Sequence, residues 1–387
     1  MTRRLLFGNE AFCEGAIAAG VRFYAGYPIT PATEIAETMS RRMPQVGGTY
    51  VQMEDELGAA AALMGASAAG VKSVTASSGP GMALIQNEIG QAIAAECPMV
   101  IINVQRAGPG IGNATRSGQM EFMQVRYGTN GEAPGVALAP STVEEAFWLT
   151  IKAVNFSEML RTVVIVLGDG LLGLQRAVVD LPDYSTVETV DRPRPTGPVS
   201  AWRGSYAANE LDDIPPMADF GSPYKGLVST VGLFKRGGGD STVEGLDQSD
   251  QEFTVRRLHQ KILARQKEIT LYEKKMTEDA DVVYVAYGTQ ALSALEAASQ
   301  ARAQGIKAGV LRLITVWPFP SDLVRETCAN ARLVVVPEMN LGQCQLMVVH
   351  ALANTATRVV GVNHVDSNFI TPAEIIAKTL ECQEQRQ

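Results

Sequence analysis

Short apolar runs alternate with stretches of helical periodicity along the first half of this chain, and no other property of the sequence restricts its fold as much. Helical patterning covers 9–19, 32–43, 56–69, 82–95 and 143–156, and short apolar runs fall between these at 21–27, 50–53, 72–76, 99–105 and 163–167. Strands that are short, apolar throughout and separated by helices belong in a parallel sheet covered on both faces. Residues 1–180 are therefore expected to form a doubly wound α/β domain. Such sheets bind ligands outside the carboxyl ends of their strands, so the turns that follow the strands are the places to look for chemistry.

The pattern then changes. Residues 181–250 hold Pro182, Pro193, Pro195, Pro198, Pro215, Pro216 and Pro223 with Gly237-Gly238-Gly239 and no sustained period, which reads as an irregular linker. Residues 251–276 place Arg256, Arg257, Lys261, Arg265, Lys267 and Lys274 among apolar positions, the pattern of one long amphipathic helix with a solvated basic face. A second α/β unit is expected over 277–387, with strands at 282–287, 307–312, 332–337 and 359–362.

Composition excludes several classes of function. A net charge of −8 with no basic cluster gives no footprint for nucleic acid or an anionic membrane. No apolar run is long enough to span a bilayer, and Met1-Thr2-Arg3-Arg4 leads into a strand rather than a signal-peptide core, so a cytoplasmic protein is expected. The five cysteines, Cys13, Cys97, Cys328, Cys344 and Cys382, show no Cys-x-x-Cys spacing, and the three histidines share no motif with an acid or thiol. The chain thus offers no iron–sulfur, zinc or Ser-His-Asp constellation of its own.

Four turns carry candidate chemistry. In Gly26-Tyr27-Pro28-Ile29-Thr30-Pro31, two prolines fix the backbone around Thr30 and hold its hydroxyl at an extended tip. Glu54-Asp55-Glu56 falls where a following helix has unpaired N–H groups. By themselves these read as a proline-stiffened turn and an N-cap acid. Ser77-Ser78-Gly79-Pro80-Gly81 lies between a strand and a helix, and its glycines allow close backbone approach. Arg106 ends a strand and leads into a Gly-rich loop carrying Asn113, Thr115 and Arg116, which suits a carboxylate as well as it suits a surface ion pair. Two further candidates fail. Gly168-Asp169-Gly170 has no Asn in the window where a magnesium-diphosphate signature needs one, and so reads as a strand-end turn. Gly108-Pro109-Gly110-Ile111-Gly112 has a proline inside it and no clear helix after it, which rules against a dinucleotide fingerprint.

Taken in order, these motifs form a family pattern. Gly26-Tyr27-Pro28-Ile29-Thr30-Pro31, Met53-Glu54-Asp55-Glu56-Leu57-Gly58, Thr75-Ala76-Ser77-Ser78-Gly79-Pro80-Gly81 and Gln105-Arg106-Ala107-Gly108-Pro109 resemble the α subunit of 2-oxoacid:ferredoxin oxidoreductases. Trp317-Pro318-Phe319-Pro320 and Pro337-Glu338-Met339-Asn340 resemble its transketolase C-terminal-like domain.

The resemblance implies a thiamine-diphosphate-binding domain of the pyrimidine type followed by that second α/β domain. It implies that Glu56 hydrogen-bonds the aminopyrimidine, that Thr30, Ser77, Ser78 and Gly79 lie against the cofactor, and that Arg106 and Thr30 meet the 2-oxoacid. The diphosphate and Mg2+ belong on a separate beta subunit, and 4Fe–4S clusters on gamma and ferredoxin-like subunits that serve ferredoxin or another acceptor. The implied reaction is oxidative decarboxylation of a 2-oxoacid with acyl transfer to coenzyme A. Tyr127-Gly128-Thr129-Asn130-Gly131-Glu132 resembles 2-oxoglutarate members, with Arg116 and Thr115 placed for a distal carboxylate. Gly110-Ile111-Gly112-Asn113-Ala114 departs from the family's Ser-Thr-Gly-Leu-Pro, which leaves branched-chain or aryl 2-oxoacids, or a non-catalytic binding protein of the same fold, as alternatives.

Overall fold

The computed structural model describes residues 2–224, 228 and 248–384. Fifteen strands among these residues follow in chain order: β1 (Thr2–Phe7), β2 (Phe23–Gly26), β3 (Thr49–Gln52), β4 (Ser73–Ser77), β5 (Met99–Ala107), β6 (Asn113–Ser117), β7 (Ala137–Leu138), β8 (Val163–Asp169), β9 (Arg176–Leu181), β10 (Tyr272–Lys275), β11 (Val282–Tyr287), β12 (Ala308–Leu313), β13 (Thr315–Trp317), β14 (Leu333–Glu338) and β15 (Arg358–Asn363). The first large sheet has the order β13-β7-β8-β5-β4-β2-β3, and all its pairs are parallel except β13 with β7. Every residue of β4, β5 and β8 is buried, as strands covered on both faces require. The second sheet runs β10-β12-β11-β14-β15, with only β10 antiparallel. Both α/β units therefore have the architecture the periodicity implies. In the first sheet the chain passes from β2 outward to β3 and then returns to β4 on the other side of β2, so the strand order reverses at the carboxyl ends of β2 and β4.

The expected helix over 251–276 is corrected by the structure. The helix Gln248–Leu263 stops, a single turn follows at Gln266–Ile269, and β10 then pairs with β12 from Tyr272↔Leu313 to Lys275↔Val310. Leu271 accepts backbone hydrogen bonds from Ile314 and Thr315, and the open edge of β12 captures a segment whose helical period was real but local. Nor is the basic face wholly solvated. Arg257 and Lys261 are buried on Glu96, with Lys261 Nζ 2.7 Å from Glu96 Oε2.

The expected linker is irregular but anchored. Arg192 makes a buried ion pair with Glu158 at 2.6 Å and donates to the Ser67 carbonyl, while Arg161 Nη1 donates to the carbonyls of Ser205 and Pro215. Gly237-Gly238-Gly239 lie outside the described residues. No helix among the described residues is long and apolar enough to cross a membrane.

The Glu96 cluster carries a stability prediction. Burial alone would raise this carboxyl, but Lys261, Arg257 and Arg161 hold it below the usual carboxylate range. Its stabilisation is therefore complete above ordinary glutamate values and is lost as pH falls through and below them. Glu96→Gln strands three buried cations and should cost about 3 kcal/mol, read as a lower urea midpoint at unchanged slope. A midpoint equal to wild type would show that the cluster contributes nothing net.

Candidate active site

Four strand ends converge at the reversal. After β2 the chain turns through Tyr27-Pro28-Ile29-Thr30, and the turn is tied down by Asn9, whose Nδ2 donates to the Pro31 carbonyl at 2.8 Å. Thr30 is exposed at the tip of this turn. After β3, Asp55 caps the helix Glu56–Ala68 by accepting from the Gly58 N–H at 2.8 Å. Asp55 thus spends its carboxylate on the helix end, and the next residue, Glu56, is left 6% exposed with its carboxyl turned toward the sheet edge.

After β4, Ser77 and Ser78 lead into the helix Gly79–Leu84. Both hydroxyls are buried and neither has a hydrogen-bond partner. Gly79 has φ +41°, which favours glycine, and a Cβ there would meet Arg106 Nε at 3.2 Å. Gly81 packs even more closely. A Cβ on it would sit 2.2 Å from Ser77 Oγ and 2.4 Å from Glu56 Oε1, so only glycine lets these two groups share the space.

Arg106, near the end of β5, is 5% exposed. Its Nη1 donates to the Thr30 carbonyl and its Nη2 to the Ile111 carbonyl, each at 2.7 Å, while Nε has no partner. A guanidinium has five N–H donors, so two bonds to carbonyls fix its orientation and leave others for a ligand. Orphaned buried polar groups are rare and need a partner. Here Ser77 Oγ, Ser78 Oγ and Arg106 Nε are orphaned around one glycine turn, with Ser77 and Glu56 against Gly81 and Arg106 against Gly79.

Thr115 and Arg116 lie elsewhere. Both are exposed on β6, which pairs with the end of β5, and they line a cleft of about 690 Å³ together with Pro31 and Gly170 on one side and Thr289 and Phe369 on the other. Asp169 forms the strand-end turn: it caps the helix Gly170–Leu174 through the Leu172 N–H and accepts from Thr289 Oγ1 at 2.6 Å, which ties the second α/β unit to the first.

The family model for pyruvate flavodoxin/ferredoxin oxidoreductase, thiamine-diphosphate-binding, matches residues 14–213, and the pyruvate:ferredoxin oxidoreductase core domain II model matches residues 280–375. The chain belongs to the first of these families. It is 41% identical over 368 residues to the 2-oxoglutarate synthase subunit KorA of Methanocaldococcus jannaschii, covering 95% of this chain and 96% of that one. It is 35% identical to the ketoisovalerate oxidoreductase subunit VorB of Methanothermobacter marburgensis, with 98% of each chain covered. Among solved structures, the 2-oxoglutarate:ferredoxin oxidoreductase of Magnetococcus marinus, with 2-oxoglutarate, coenzyme A and succinyl-CoA bound, superposes with a TM-score of 0.89 at 30% identity. That match covers 98% of this chain and 65% of the other. A thiamine-binding family member needs a buried acid and small polar groups against a flat heterocycle, and Glu56 with the orphaned Ser77 and Ser78 fits that need.

Sequence reasoning overlooked Glu121. It is 8% exposed and its Oε2 has no partner, and burial pushes its carboxyl up to about 7. The signal was available as a lone carboxylate within the apolar run Met120-Glu121-Phe122-Met123.

Proposed function

We propose that this chain is the pyrimidine-binding subunit of a coenzyme A-acylating 2-oxoacid oxidoreductase and that its substrate is 2-oxoglutarate. The observation that carries the reading is the cluster of Glu56, Ser77, Ser78 and Arg106, buried together with orphaned polar atoms at the strand-order reversal of the sheet. When bound, thiamine diphosphate supplies the nucleophilic carbon that adds to the keto group and takes up the charge left by departing CO2. Glu56 would hold the pyrimidine ring and favour the tautomer able to move the C2 proton. Ser77 and Ser78 offer hydroxyls to the same ring. Arg106 binds the carboxylate next to the keto group, and Thr30, whose carbonyl Arg106 already grips, presents its hydroxyl to the substrate.

The Mg2+ and diphosphate ligands belong on a beta subunit, and the iron–sulfur clusters on gamma and ferredoxin-like subunits. Tyr27, Leu57 and Ile111, large apolar residues exposed around the carboxyl edge, support a partner chain seated there. The test is co-purification, with masses and metals of the associated chains, joined to a screen of 2-oxoacids for coenzyme A-dependent viologen reduction. An isolated chain that binds thiamine diphosphate at micromolar affinity would refute the shared site.

The choice of acid rests on the relatives named 2-oxoglutarate synthase and on Arg116. The likeness to a ketoisovalerate oxidoreductase subunit and the exposed Ile111 favour a branched-chain acid as the second reading. Arg116→Ala separates them. Arg116 is exposed on β6, so solvent screens its pairing with a distal carboxylate to about 1 kcal/mol, and kcat/KM for 2-oxoglutarate should fall about 5-fold beyond that for 2-oxobutyrate. Equal losses for both acids would favour the branched-chain reading.

A further inference from the structure

Two amide side chains stand on one face of β5, and only one of them is satisfied. Ile101 packs in the cluster of Leu63, Met82 and Leu167, whereas Val100, Ile102 and Val104 join the cluster on the other face of the sheet. Strand alternation therefore puts Asn103 and Gln105 on the face of Ile101. Gln105 accepts from the Glu121 N–H at 3.3 Å and donates to the Gly168 carbonyl at 3.0 Å. Asn103 is fully buried, and neither its Nδ2 nor its Oδ1 has a partner. On β4, Val74 and Ala76 belong to the opposite cluster, so Ser73 and Ser77 share the face of Asn103. Ser73 donates to the Leu63 carbonyl at 3.3 Å, but Ser77 Oγ is unpartnered. Ser77 and Asn103 are register partners in the parallel ladder, and Leu167 is the apolar register partner on the other flank of Asn103. Their strands run roughly 5 Å apart, so the serine hydroxyl and the amide stand side by side. Ser77 also meets Glu56: a Cβ on Gly81 would lie 2.2 Å from Ser77 Oγ and 2.4 Å from Glu56 Oε1. Glu56, Ser77 and Asn103 thus form one buried row from the start of the helix Glu56–Ala68 across β4 to β5.

We propose that Asn103 is a positioning residue for Ser77: its amide fixes the direction in which the Ser77 hydroxyl presents its proton and lone pairs beside Glu56, and so helps to hold the aminopyrimidine. This rests on the reading of Glu56 and Ser77 as the cradle of that ring. A serine hydroxyl rotates freely and is both donor and acceptor, so by itself it offers the ring no defined partner. Laterally paired side chains on one face of a sheet reach one another, and an amide beside the hydroxyl selects one of its orientations. Nothing else in the ladder offers Asn103 a polar side chain, since its other register partner is Leu167. An unpartnered buried amide destabilises a fold, and an apolar side chain of the same shape would be neutral or better there. The amide therefore does nothing for the core and acts through the hydroxyl next to it.

The experiment uses the assembled enzyme stripped of its cofactor, with thiamine diphosphate affinity measured by calorimetry at saturating Mg2+ and the thermal midpoint recorded on the same cofactor-free samples. Asn103→Leu removes the amide at nearly constant shape. It should weaken thiamine diphosphate binding by about 10-fold, the scale of one lost hydrogen bond, while the thermal midpoint stays where it is or rises. Ser77→Ala should weaken binding by a similar factor. The double variant should bind within about 2-fold of Ser77→Ala alone, because an amide that acts through the hydroxyl has nothing left to act on. Additive losses in the double variant overturn the proposal. So does an unchanged affinity in Asn103→Leu, and a lowered midpoint alongside it would mark an amide that serves the fold alone. If Asn103→Leu does not assemble, Asn103→Ala, which removes the amide and adds no bulk, takes its place in the same cycle. An assembled wild type that binds no thiamine diphosphate is a separate failure, visible without any variant, and would remove the proposed function and this inference together.

Discussion

Glu56→Gln is expected to leave folding and subunit assembly intact while slowing C2 proton exchange of the bound thiamine diphosphate by about 10²-fold or more, the range for a positioned acid–base partner. The substitution preserves shape at a side chain that is 6% exposed and in close contact with Gly81. What it removes is the group that holds and exchanges a proton with the pyrimidine. Neighbouring acids supply the controls. Asp55 caps the helix through the Gly58 N–H, so Asp55→Asn should act on the helix start and leave exchange nearly unchanged. Glu54→Gln should do less still. Deuterium exchange into the cofactor, quenched and read by NMR, measures all three. If Glu54→Gln stops exchange and Glu56→Gln does not, the assignment is displaced by two residues.

Arg106→Ala should lower kcat/KM by about 10³-fold for every 2-oxoacid, since all share the carboxylate next to the keto group. Removing one partner of a buried, hydrogen-bonded charge pair costs 2–5 kcal/mol, and about 4 kcal/mol corresponds to that factor. Arg106 also joins the Thr30 tip to the Ile111 loop through two carbonyl bonds, so its loss loosens the site as well as discharging it. Arg106→Lys keeps the charge but cannot span both carbonyls with one ammonium, and should recover only part of the activity. The contrast with Arg116→Ala is informative because Arg116 is exposed on β6 and should discriminate between acids, whereas Arg106 should not. A drop below about 10-fold for Arg106→Ala across several acids would show that the carboxylate is held elsewhere.

The amino-acid sequence determined the two α/β units, because strands buried on both faces must be apolar along their whole length and helices between them must be amphipathic. It restricted the backbone on either side of Ile29-Thr30, because proline limits its own backbone and that of the residue before it. Motif order also made Glu56, Ser77, Ser78, Gly79 and Arg106 legible as candidates. Only the tertiary structure decided that they meet, since the meeting depends on the reversal of strand order between β2 and β4 and on glycine at 81, and neither is written in local periodicity. The helix expected to run to residue 276 illustrates the same limit. Its amphipathic period was genuine as far as Leu263, but the free edge of β12 offered Tyr272–Lys275 a ladder of hydrogen bonds that no local propensity could announce. Arg257 and Lys261 looked like solvated charges because their counter-ion, Glu96, lies more than 160 residues away in the chain. Glu121 went unremarked for a related reason. A carboxylate among apolar residues has no period, and its burial exists only once the segment 118–123 is tied to Gln105 of β5 and clasped by Asn340 and Trp317.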